Sequence, residues 1–151
     1  MSQSSELERA YSYLEDRFGV RREELAPLEL EKVSGDAWLT APDGPEEAET
    51  HGIRCVRFTD IGLKPTTYAL QLLDGRIERN RVRLDREEML TLLEGGMVER
   101  RREEKGYVAL MYRGRVVGCG LYKDELISSR IPKGRARELS SALKSREDKG
   151  L

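Results

Sequence analysis

Two basic stretches hold most of the chemistry that the residue types allow. In RIERNRVRL, Arg79, Arg81 and Arg83 stand at alternate positions, and on a strand such residues share one face. Guanidinium forks in a row match phosphate oxygens bidentately. Positive charge on an edge strand also prevents edge-to-edge pairing, so a structural use stands beside the functional one. The second stretch, GRVVGCGLYKDELISSRIPKGRA, passes from a glycine-punctuated apolar run to Lys123, Arg130, Lys133 and Arg135, with no acid after Glu125. Gly118 and Gly120 lie inside a strand pattern, where glycine costs stability. They serve either a sharp bend in a small barrel or the close approach of another backbone.

Other chemistry is harder to find. His51 is the single histidine and forms an H-x3-C pair with Cys55, but a structural zinc normally takes four ligands. Nothing in the sequence brings Cys119 to His51 as a nucleophile pair. The glycine-rich stretches lack the GK[ST] ending of a phosphate loop, and Gly118-Cys119-Gly120 lacks the third glycine and the helix of a dinucleotide site. No catalytic residue, metal site or cofactor is expected. Cys55 and Cys119 read as small buried hydrophobes in a reducing compartment.

Charge distribution narrows the partner. The 151 residues carry a net charge of −1. Residues 1–98 hold 13 lysines and arginines against 20 acids, and residues 99–151 hold 14 against 8. A neutral chain divided in this way shows the footprint of a basic surface that meets polyanions, or else a solvated cationic face. No stretch reaches the roughly 18 apolar residues of a membrane span. MSQSSELERA has no apolar core of a secretory signal, so a cytoplasmic protein without a membrane partner is expected.

These residues need elements to position them. Leu7, Ala10, Tyr11, Leu14 and Phe18 at helical spacing predict a helix over residues 5–18, capped by Ser4 or Ser5 and stopped by Gly19. A short second helix is expected at Arg21–Leu25, then a hairpin around Ser34-Gly35-Asp36, an acidic loop at 42–50 and a strand at 53–58. KPTTYALQLLDG reads as a helix with Pro65 in its first turn. RIERNRVRL reads as a strand, and Asp85 with Glu88 as a capping box opening a helix that ends at Gly95-Gly96. Strands are expected near 106–112, 115–122 and 126–131, then a basic, partly helical tail after Pro132.

LKPTTYALQLLDGRIERNRVRLDREEMLTLLEGG followed by GYVALMYRGRVVGCGLYKDELISSRIPKG resembles the PUA-type RNA-binding region attached to Sun-type RNA 5-methylcytosine methyltransferases, and small stand-alone archaeal relatives. YLEDRFGV and the following hairpin resemble the pre-PUA part of such proteins. The resemblance implies an α+β protein: a small mixed β-barrel, residues 79–151, packed against a pre-PUA-like α/β domain, residues 1–78. It implies RNA lying against Arg86, the Gly95-Gly96 loop and the segment from Tyr122 to Lys133. The methyltransferases' catalytic cysteine motif and cofactor loop are absent. The expected function is therefore non-catalytic binding of structured rRNA or tRNA, in RNA modification or ribosome biogenesis. The alternative is a protein-interaction subunit that docks on an RNA methyltransferase or ribosomal protein.

Overall fold

The structure is a computed structural model and describes residues 2–41 and 52–149. The expected acidic loop at 42–50, and His51 after it, lie outside the described residues. The chain divides into two compact units, Met1–Arg81 and Val82–Leu151.

In the first unit, helix α1 (Ser2–Phe18) buries Ala10, Tyr11, Leu14 and Phe18, the stripe that the spacing predicts. It begins earlier than expected, so Ser4 and Ser5 are helical residues and not caps. Gly19 turns the chain at a φ of +70°, a conformation glycine adopts without steric cost. After a 3-10 turn at Arg22–Leu25 comes an antiparallel sheet with strands in sequence order, β1 (Glu29–Val33), β2 (Asp36–Thr40), β3 (Gly52–Thr59) and β4 (Gly62–Pro65). Ser34 and Gly35 both have positive φ, the two-residue hairpin geometry that matches strand twist. The Tyr11 hydroxyl accepts a hydrogen bond from the Leu30 amide at 2.8 Å and ties α1 to β1.

Strand β4 corrects the sequence reading. Pro65 does not open a helix; it ends an edge strand, where a missing N–H interrupts no inner ladder. Helix α2 (Thr67–Leu72) starts after Thr66, whose hydroxyl accepts from the Ala69 amide at 3.2 Å.

Strand β5 (Arg81–Leu84) joins a second sheet, with helix α3 (Arg86–Leu93), β6 (Met97–Glu99), β7 (Gly106–Tyr112), β8 (Arg115–Lys123), β9 (Leu126–Ser129) and helix α4 (Lys133–Lys149) following in the chain. The strand order is β5-β7-β8-β9-β6. This curled half-barrel fits the small barrel that the resemblance implies. Its two edge strands are bridged by a side chain: Arg100, just after β6, donates to the Arg83 carbonyl on β5 at 3.1 Å. Val82, Leu84, Met89, Leu92, Val108, Leu110 and Ile127 fill the interior together with Ile131 and Ala136. Full burial of each large aliphatic side chain stabilises by about 1.5–3 kcal/mol.

The glycines of β8 are explained by this packing. Leu110 pairs with Gly118 and Met111 with Val116, leaving Val117 as an extra residue, and such a bulge bends the strand. A Cβ on Gly120 would come within 2.7 Å of Leu110 Cδ2 and 3.1 Å of the Ser128 carbonyl. Both glycines are buried. Of the two uses read from the sequence, barrel curvature and close packing account for them.

Candidate nucleic-acid interface

The arginine stripe does not form. Asn80 adopts a φ of +58° just before β5 begins at Arg81, which takes Arg79 out of the row and leaves only Arg81 and Arg83 on one strand face. Arg79 donates to the Asp16 carbonyl at 3.1 Å. Arg81 donates to the carbonyls of Asp74 and Ile77 at 2.8 Å each and pairs with the Asp74 carboxylate at 3.1 Å. Both hold local structure within the first unit. Arg83 alone is exposed on β5. Arg86, half-buried at the start of α3, reaches the Leu143 carbonyl on α4 at 3.5 Å.

Helix α3 itself is held as the sequence predicts. The Asp85 carboxylate accepts from the Glu88 amide at 2.8 Å, and Glu88 accepts from the Asp85 amide at 3.0 Å. Glu88 also pairs with Arg100. That guanidinium holds the Glu88 carboxyl below its ordinary value of 4.5, against a smaller opposing effect of burial. The same pair raises Arg100. Arg100 thus fastens the start of α3 and both sheet edges at one point.

At the other end of α3 the second unit opens a cleft of about 490 Å³. Gly95 turns the chain off the helix at a φ of +94°. Gly96 lacks a side chain for a different reason, because a Cβ would meet Thr91 Cγ2 at 2.8 Å. Met97, 58% exposed, follows in the lining. The opposite wall is the corner where β9 passes into α4: Ser128, Ser129, Arg130, Lys133 and Arg137. The Arg130 amide donates to the Cys119 carbonyl at 2.8 Å, and the Ser129 hydroxyl accepts from the Ile131 amide at 3.1 Å, fixing that corner. The structure therefore brings together four residues expected from the sequence, Gly95, Gly96, Arg130 and Lys133.

Chemically the cleft is suited to anions. The first turn of α4 contains no acid, and its leading amides precede the first intrahelical bond, from the Ala136 amide to Pro132, leaving the positive end of the helix uncovered. Lys133 and Arg137, one turn apart, share a helix face. Neither forms an ion pair among the described residues. The single carboxylate in the lining, Glu94, pairs with Lys144 at 2.9 Å. Met97 adds an apolar, polarizable surface and the two serines add hydroxyl groups.

Besides Arg79, Arg81, Arg83 and Arg86, three more expected residues stand apart from this cleft. Tyr122 is 5% exposed; its hydroxyl accepts from the Arg102 amide at 3.0 Å, so its ring belongs to the core and has no free face for a base. Lys123 faces Leu126 across the β8–β9 turn, at the far end of the hairpin from Arg130. The two therefore do not join into one surface through the hairpin. Arg135 pairs with Glu138 at 3.1 Å. Ser128 and Ser129 fall within the Tyr122–Lys133 segment that the resemblance implies; the lining residues missed by sequence reasoning are Met97 and Arg137. For Arg137 a signal existed, its i+4 spacing from Lys133; for Met97 none did.

A curled five-stranded sheet with a helix after its first strand, a glycine loop and a basic late segment fits a PUA-like unit. The family comparison agrees: residues 79–137 match the family described as the Methyltransferase RsmF PUA domain. No curated protein matches the chain. Among the described residues no helix is long and apolar enough to cross a membrane.

Proposed function

We propose that the chain binds structured RNA through the cleft of its second unit, and does so without catalysis of its own, in rRNA or tRNA modification or in ribosome biogenesis. The observation that carries this reading is the convergence of Arg130, Lys133 and Arg137, none paired with a carboxylate among the described residues, on a glycine-lipped cleft at the acid-free start of α4. The matched family, a domain of an RNA methyltransferase, supports RNA as the anion. In this reading the first unit is a pre-PUA-like partner of the PUA-like unit, and the protein works in the cytoplasm.

The test is RNA binding across a salt series. Wild type should bind an RNA stem-loop with a log K that falls by about 0.7–0.9 per phosphate contact for each unit of log salt. The double variant Lys133→Ala, Arg137→Ala should lose about tenfold in affinity at low salt, and its slope should shrink by about two contacts. Its unfolding midpoint should stay unchanged, because exposed positions rarely shift stability beyond about 0.5 kcal/mol. No RNA binding by wild type would instead favour a subunit that docks on a methyltransferase or ribosomal protein.

A further inference from the structure

A second group of unpaired cations sits in the same unit at the tip of the β7–β8 hairpin. Arg113 and Gly114 form its two-residue turn, with φ values of +52° and +79°. Glycine and asparagine suit the first of these positions; a long side chain there is disfavoured. The turn nonetheless carries arginine. The Arg113 guanidinium carbon lies 5.4 Å from the Tyr112 ring centroid, on the ring's cation-attracting face. Arg115, exposed, faces Tyr112 across the turn. Neither arginine has an ion pair among the described residues.

The register places this tip. Ser129 pairs with Gly120, and Arg130 bonds to Cys119. Strand β8 continues from there toward Arg115, away from Lys123. The hairpin tip therefore lies at the end of the sheet where the cleft opens. Along β8, the four steps from Cys119 to Arg115 span at most roughly 13 Å at about 3.3 Å each, the bulge at Val117 shortening them. The whole unit, Val82–Leu151, holds 16 lysines and arginines against 12 acids.

From this geometry we infer that Arg113 and Arg115 form a second phosphate clamp, which holds the backbone of an RNA already engaged in the cleft. The inference rests on the RNA reading of the cleft and extends it to a footprint: an RNA long enough to span both sites uses two separated groups of contacts, and a short one uses only the cleft. Tyr112 holds the Arg113 fork in place by stacking, which lowers the ordering cost of the contact.

The test uses the full chain with the double substitution Arg113→Asn, Arg115→Gln. Asparagine tolerates the left-handed turn better than arginine, so the hairpin is retained while both charges are removed. Two probes are compared, a stem-loop RNA with a 12-base-pair stem and a four-nucleotide single strand. The expected result is about a tenfold loss for the stem-loop, a salt slope smaller by about two contacts, and unchanged binding of the short strand. Unchanged affinity and slope for the stem-loop overturns the clamp, even where Lys133→Ala and Arg137→Ala still weaken binding. Equal loss on both probes overturns it too, since that pattern is diffuse attraction. If wild type binds neither probe, the RNA reading of the cleft falls and the clamp falls with it.

Discussion

Residues 79–86 and residues 130–137 are equally rich in cations, yet the molecule employs them in opposite ways. In the earlier stretch Arg79 and Arg81 donate into backbone carbonyls of the first unit, and Arg86 reaches a carbonyl on α4. In the later one Lys133 and Arg137 line a cleft without a carboxylate partner among the described residues. A guanidinium surrounded by carbonyl oxygens acts as a structural bracket, and a cation that faces open space beside a helix start is available to a ligand. Charge density does not separate the two uses. What the backbone offers nearby does.

The comparison breaks most readily at Arg81. Its side chain satisfies two carbonyls and one carboxylate in a half-buried setting. Arg81→Ala should cost about 1.5–3 kcal/mol in chemical denaturation, the scale of hydrogen bonds to a charged group. Measured at a temperature where the variant is folded, its RNA affinity should match wild type. Full stability with weakened RNA binding would return Arg81 to the site and erase the contrast.

A smaller effect tests the Arg100 bracket. Glu88→Gln keeps an acceptor for the cap but removes the charge that Arg100 pairs with. The expected loss is about 1 kcal/mol at neutral pH. The Glu88 carboxyl is depressed in the folded protein, so its contribution is present above its unfolded value of 4.5 and disappears as pH falls through the lower folded value. Stability curves of wild type and variant should therefore converge as the solution is acidified below about pH 4.5. A gap that persists at low pH would mean the charge is not what fastens α3 to the sheet.

Much of the fold was legible in the sequence because it is written locally. The stripe of α1, the Ser34-Gly35 hairpin, the Asp85–Glu88 box and the β7-to-β9 meander are specified by residues a few positions apart. The short strands β4 and β6 were not legible. With four and three residues they show too little alternation, and β6 exists only through its pairing with β9, some 30 residues away. The site divides in the same way. Gly95, Gly96, Arg130 and Lys133 could be named from a resemblance, but that they share one cleft with Met97 and Ser128 depends on nonlocal pairing. The arginine stripe failed at Asn80. Asparagine is a non-glycine residue enriched in the left-handed region, and its position between two arginines was the available warning against a continuous strand.

The most direct test locates the RNA on the protein. A stem-loop RNA substituted with 4-thiouridine is crosslinked to the full chain by light, and the modified peptides are mapped by mass spectrometry. Crosslinks are expected at Met97 and in the segment from Ser128 to Arg137, and none at Arg79 or Arg81. Crosslinks concentrated in residues 1–81, with the cleft unmodified, would contradict the RNA reading of the cleft.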